Sequence, residues 1–158
     1  MKALSVPGIL TISFWGLVLI LAGCGKPDTG LTNGRFSPCP DSPNCVSSMA
    51  VGAKHAIEPI AYEGSRDGAK QAMLSVIQSM KRSRLLSASE NYIHAEFRSL
   101  IFRFVDDVEL FLPENTTVIH MKSASRAGYS DFGVNRKRLE EIRRRFHSLT
   151  SRSESYDN

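Results

Sequence analysis

A chain of 158 residues has room for one domain and not two. Its composition is ordinary for a globular protein, and a formal net charge of +4 is too mild to argue for nucleic acid as a partner. All three cysteines, Cys24, Cys39 and Cys45, stand in the first third, which points to special roles for them and not to core filling.

Met1-Lys2 is followed by an uncharged run from Ala3 to Gly25 with an apolar heart, Phe14-Trp-Gly-Leu-Val-Leu-Ile-Leu21. This is the layout of an export signal. The run ends in Leu21-Ala22-Gly23-Cys24, which resembles the bacterial lipoprotein signal, or lipobox. The resemblance implies cleavage after residue 23, with acyl chains (palmitate among the usual ones) on Cys24. The alternative is an uncleaved transmembrane anchor, since the run is just long enough to span a bilayer. Either way the remainder lies outside the cytoplasm, as a membrane-anchored protein of the bacterial cell envelope. Gly25, and not Asp, follows the cysteine; by resemblance to enterobacterial sorting rules this favours the outer membrane, periplasm-facing.

Residues 24–53 are rich in Gly, Pro, Ser, Thr and Asn and show little apolar periodicity, which is the composition of a tether. Within it, Cys39-Pro-Asp-Ser-Pro-Asn-Cys45 encloses five turn-forming residues. In an oxidising compartment the simplest product is a local disulfide. A redox-active pair has the narrower Cys-x-x-Cys spacing. A metal centre needs two further ligands, and His55, His94, His120 and His147 show no ligand spacing; neither metal nor cofactor is expected.

Residues 54–149 carry the folded domain, and 150–158 read as a frayed tail. His55 to Tyr62 is a short strand, set at an edge or bulge by Pro59. Ser65 is placed to cap a helix from about Arg66 to Ser83, whose apolar face is Ala69, Ala72, Met73, Val76, Ile77 and Met80. Tyr92–Leu100 alternates, with Ile93, Ala95 and Phe97 on one face and His94, Glu96 and Arg98 on the other. Phe102–Leu112 continues with Phe102, Phe104, Val108 and Leu110 in one parity, and Thr117–Ser125 is a third strand. Val134 and Leu139 can staple a second helix capped by Asn135, with Leu139, Ile142, Phe146 and Leu149 inward. The order β-α-β-β-β-α predicts an α+β fold of two layers, an antiparallel sheet covered by two helices.

Small, polar and basic residues crowd between the last strand and the last helix, Ser123-Ala-Ser-Arg-Ala-Gly-Tyr-Ser-Asp-Phe-Gly-Val-Asn-Arg136. A helix N-terminus offers free N–H groups and partial positive charge to a phosphate or carboxylate. Arg126, Ser130, Asp131, Asn135 and Arg136 are the candidate ligand-binding residues. Alternatively, Asp131 and Asn135 satisfy those N–H groups themselves and the arginines pair with nearby acids. Gly128-Tyr-Ser-Asp-Phe-Gly133 is one residue too long for a nucleophile elbow, and only His147 follows it as a base. In Asp106-Asp-Val-Glu109, Asp107 and Glu109 share a strand face about 7 Å apart, a candidate acidic site for catalysis or a hard cation. The competing reading pairs these acids across strands with Arg98, Arg103 or Arg126. The basic run Arg136-Lys-Arg138 and Arg143–Arg145 reads as a solvated helix face with i, i+4 pairs Glu140–Arg144 and Glu141–Arg145, or as a patch for an anionic surface.

Cys39-Pro-Asp-Ser-Pro-Asn-Cys-Val-Ser-Ser48, Asp106-Asp-Val-Glu109 and Ser123-Ala-Ser-Arg-x-Gly-Tyr-Ser-Asp-x-Gly-x-Asn-Arg136 together resemble the bacterial and plastid family called domain of unknown function 1499, over about residues 36–147. The resemblance implies a small α+β domain, often exported or lipid-anchored, and carries over no catalytic residue. The leading expectation is a non-enzymatic envelope lipoprotein that binds an anionic ligand or an envelope partner through residues 123–136. The alternatives are a hydrolase or transferase of an envelope polymer using Asp107 and Glu109, and a structural module of a membrane complex.

Overall fold

The computed structural model describes residues 28–101 and 103–154. The expected signal segment and Cys24 lie outside the described residues. In chain order the elements are β1 (Leu31–Thr32), β2 (Arg35–Phe36), β3 (Cys45–Ser47), β4 (Ile60–Ala61), α1 (Arg66–Ser79), β5 (Ser83–Ala88), β6 (Tyr92–Arg98), β7 (Val105–Phe111), β8 (Val118–Ser125) and α2 (Val134–Glu154). Among the described residues the fold is mixed α and β, with two helices and an antiparallel sheet. The main sheet runs β3-β8-β7-β6-β5, and β4 pairs with the far end of β8.

Strand alternation decides which side chains enter the core. Ile93 and Ala95 stand opposite Leu110 and Val108, and Leu110 stands opposite Met121. These residues form one buried cluster with Met73, Val76 and Ile77 of α1 and Leu139, Ile142 and Phe146 of α2. The apolar stripes read from the sequence are therefore the core. Ser65 caps α1, its hydroxyl accepting the Gly68 N–H at 3.1 Å.

Four differences from the expected layout have physical reasons. First, α1 stops at Ser79, and a further strand, β5, follows where the helix was expected to continue. Ser83 Oγ donates to the carbonyls of Ile77 and Met80 at 2.7 Å each, satisfying the helix end, and Arg82 turns the chain at φ 61°. Second, from Asp28 onward the expected tether is part of the domain. β3 pairs with β8 from Cys45↔Ala124 to Ser47↔Lys122, and Phe36 of the β1–β2 hairpin is buried. Turn-forming composition marks irregular backbone, and here that backbone is packed. Third, β7 begins only at Val105; Phe104 is half-exposed in the β6–β7 connection and does not join the inward parity of Val108 and Leu110, while Phe102 lies outside the described residues. Fourth, α2 starts at Val134, which is 44% exposed and cannot staple against buried Leu139, and it runs on through Glu154, into the expected tail. Cys39 and Cys45 are joined by a disulfide.

Candidate functional site

The sheet has two polar constellations, one on each face. On the core side Asp106, Ser123 and Asn135 are all buried. Arg138 donates to Asp106 Oδ2 at 2.6 Å and to Asn135 Oδ1 at 2.7 Å, and its guanidinium lies 5.1 Å from the centre of the Phe97 ring. Ser123 Oγ also donates to Asn135 Oδ1, at 2.5 Å. Asn135 Nδ2 donates to the Asn44 carbonyl at 2.9 Å and to Ser125 Oγ at 3.0 Å. Asn44 Nδ2 in turn donates to the Gly128 carbonyl at 2.6 Å. The cysteine loop, the acidic strand and the 123–136 stretch thus meet in one buried hydrogen-bond network. Every member has partners, so the network fixes β3, β7, β8 and α2 in a single arrangement.

Asn135 is therefore not a helix cap open to a ligand. The cap is Asp131, whose carboxylate accepts the N–H groups of Gly133 at 2.9 Å and Asn135 at 2.7 Å. Ser130 is exposed and its Oγ accepts the Phe132 N–H at 3.3 Å; Arg136 reaches the Lys54 carbonyl at 3.4 Å. Arg126 is on the opposite face of the sheet. The five candidate residues are thus spread over the two faces of the sheet, with Arg126 on one and Asp131, Asn135 and Arg136 at the start of α2 on the other. Arg138, expected on a solvated helix face, is buried against Asp106, and Glu140 takes Arg143 at 3.0 Å as its partner in place of Arg144.

The outer face carries the second constellation, built from the polar parity of β6, β7 and β8. Glu96, Asp107 and Glu109 are each almost wholly buried there. Asp107 accepts both Arg126 Nε at 2.8 Å and Arg126 Nη2 at 2.7 Å, and His94 Nε2 lies 2.8 Å from its Oδ1. Burial pushes the Asp107 carboxyl up, but the hydrogen bonds from Arg126 and His94 outweigh it and hold it below the usual carboxylate range. Glu96 accepts Arg84 at 2.9 Å and Arg98 at 3.1 Å, with Arg126 at 3.6 Å; against the upward push of burial, Arg84 and then Arg98 hold it low as well. Glu109 accepts the Tyr92 hydroxyl and the Gly30 N–H, each at 2.6 Å, and pairs with Lys122 at 3.1 Å. Burial and then the Glu109 carboxylate push the Tyr92 phenol far up, so it stays protonated and keeps donating.

Asp107 and Glu109 do share a face, yet their oxygens are already engaged by cations, a histidine, a phenol and a backbone N–H. Both are almost wholly buried, which leaves little of either carboxylate open to solvent. No group of three or more His, Cys, Asp or Glu side chains that could hold a metal ion occurs among the described residues. Ser48 Oγ lies 3.2 Å from His120 Nδ1, a pairing the sequence did not signal, but Ser48 Oγ also accepts the Met121 N–H at 2.9 Å. Burial, with the charge of Arg35, holds His120 below its usual value, so it is neutral at pH 7. Among the described residues no carboxylate ion-pairs with it, as a base needs for orientation. His147 packs edge-on against Phe146 and makes no hydrogen bond to Ser130 among the described residues.

What the outer face presents to solvent is cationic. Beside β5 and β6 a shallow cleft of about 490 Å³ is lined by Arg82, Arg84, Arg98 and Arg103, with Glu96 as its one carboxylate and Leu100 at its edge. Arg84 and Arg98 are 66% and 45% exposed while their inner edges rest on Glu96. A guanidinium has five N–H donors, so one used on a buried carboxylate leaves others for a ligand. Of the four arginines, the sequence pointed only to Arg98 and Arg103, and as partners for the acids. The usable signal was the polar parity of β6, His94, Glu96 and Arg98; β5, which supplies Arg84, went unseen.

No curated protein matches the chain. A family model described as a protein of unknown function, DUF1499, matches residues 35–146, well over half of the sequence, and its span takes in all three motifs. The chain belongs to the DUF1499 family.

Proposed function

We propose that the protein is a non-enzymatic lipoprotein of the bacterial cell envelope, anchored through Cys24, whose domain binds an anionic ligand on the arginine-lined cleft of the outer sheet face. The observation that carries the ligand reading is the cleft itself: four arginines against one carboxylate, two of them held in place by that buried carboxylate. Fixing the guanidinium groups before binding removes part of the ordering cost a ligand otherwise meets. Planar forks of this kind suit phosphate and carboxylate groups. The anchor reading draws on Leu21-Ala22-Gly23-Cys24, and a disulfide suits an oxidising compartment. Among the described residues no helix is long and apolar enough to cross a membrane.

The ligand reading is tested by thermal unfolding of the full chain with added inorganic phosphate, chloride making up equal ionic strength. Phosphate at about a hundredfold its Kd should stabilise by about 2.7 kcal/mol. Arg82→Gln with Arg103→Gln, which leaves the Glu96 partners in place, should remove that gain. Equal unfolding temperatures with and without phosphate would discard the cleft. For the anchor, Cys24→Ser should accumulate an unprocessed precursor without acyl label; labelled, correctly cut protein would discard it.

A further inference from the structure

The connection between β6 and β7 is closed by Ser99, whose N–H donates to the Phe104 carbonyl and whose Oγ accepts the Phe104 N–H, each at 2.9 Å. Water-facing hairpin tips usually carry Gly, Asn, Asp or Ser. This tip carries Leu100, 72% exposed, and Ile101, 79% exposed. Ser99 and Leu100 also line the arginine cleft, so the tip and the cleft are continuous. Arg82 and Arg103, on two different loops, both hold the backbone in the left-handed region, at φ 61° and 53°, and both line that cleft. A side-chain-bearing residue is strained there, and two such positions converge on one feature.

We propose that the β6–β7 hairpin docks on an anionic phospholipid bilayer, Leu100 and Ile101 entering the acyl boundary while Arg82, Arg84, Arg98 and Arg103 meet headgroup phosphates. This rests on the anion-binding reading of the cleft and names the ligand. An apolar tip backed by long cationic side chains matches the layering of a bilayer surface, hydrocarbon below and phosphate above. Charge decides for lipid: the cleft presents one carboxylate against four guanidinium groups to an anionic leaflet. The acyl chains on Cys24 would supply one attachment and the hairpin a second, orienting the domain against the surface.

The test uses the acylated protein from Cys24 onward, which lacks the sequence's one tryptophan, Trp15, as the variant Leu100→Trp, reconstituted into vesicles of phosphatidylglycerol and phosphatidylcholine or of phosphatidylcholine alone. Because the reporter sits on the hairpin, the anchor does not contribute to the signal. In phosphatidylglycerol vesicles the emission should shift to the blue and be quenched by lipids brominated on their acyl chains; in phosphatidylcholine alone it should not. Arg82→Gln and Arg103→Gln should each weaken the response about fivefold. A water-exposed emission in anionic vesicles overturns the docking, as does an equal shift in both lipids. Drying of the reporter only when an envelope protein extract is added also overturns it, in favour of a protein partner. Phosphate-dependent unfolding of the same variant separates the two claims. Stabilisation by phosphate with a wet reporter removes the bilayer alone, and absence of both removes the cleft as well.

Discussion

Asp107 and Glu96 act as anchors for arginine, and that role has a pH signature. Their native carboxyls titrate below the ordinary range, Asp107 through Arg126 and His94 and Glu96 through Arg84 and Arg98, in each case against the upward push of burial. A depressed carboxyl binds fewer protons in the native state than in the unfolded one. Its stabilisation is therefore complete above about pH 4–5 and is lost as pH falls through the lower native value. Chemical denaturation should give a stability that is steady near neutrality and falls steeply below about pH 4. Asp107→Asn should remove the Asp107 share of that fall and cost about 2 kcal/mol, less than a fully buried pair because Arg126 is 32% exposed. On the other face, Asn135→Ala strips four partners at once, Ser123, Arg138, Asn44 and Ser125, and should cost about 3 kcal/mol, measured by the same denaturation.

Elements were legible where one local rule decides them. The Ser65 cap and the Ala69–Met73–Val76–Ile77 stripe gave α1, and period-two alternation gave β6 with its inward Ile93, Ala95 and Phe97. β5 was hidden because Ser83-Arg-Leu-Leu-Ser-Ala is an edge strand with mostly exposed residues and a register shift between Leu85 and Ser87, so no clean alternation marks it. The start of α2 was misread by proximity: Asp131 and Asn135 are both good caps, and the buried demand of Ser123 and Asn44 claims Asn135. Asp131→Ala should consequently cost about 1–2 kcal/mol of stability, while leaving the buried network in place, as a retained fold by circular dichroism would register.

At the scale of the whole molecule, the candidate site was legible only in part, because it depends on long-range pairing. Asp107 and Glu109 were recognised as sharing a face, and Arg126 was named among possible partners. That Glu96 and Arg84 join them follows from the β5–β6–β7 register, Arg84↔Glu96↔Asp107, which no local pattern encodes. The residues read as a tether show the same limit. Gly30 and Asp28 contact Glu109 and Lys122 across 79 and 94 positions of sequence, and such contacts leave no periodic trace. The Cys39–Cys45 bond closes a small loop that presents Asn44 to the core network. Replacing both cysteines by serine should lower stability by about 2 kcal/mol.

Whether the domain holds an anion on its arginine cleft is decided by native mass spectrometry of the anchored protein extracted from the envelope. The wild-type protein should carry a discrete added mass of an anionic species that Arg82→Gln with Arg103→Gln removes. A bare protein mass in both, or an added mass that the double variant keeps, would contradict it.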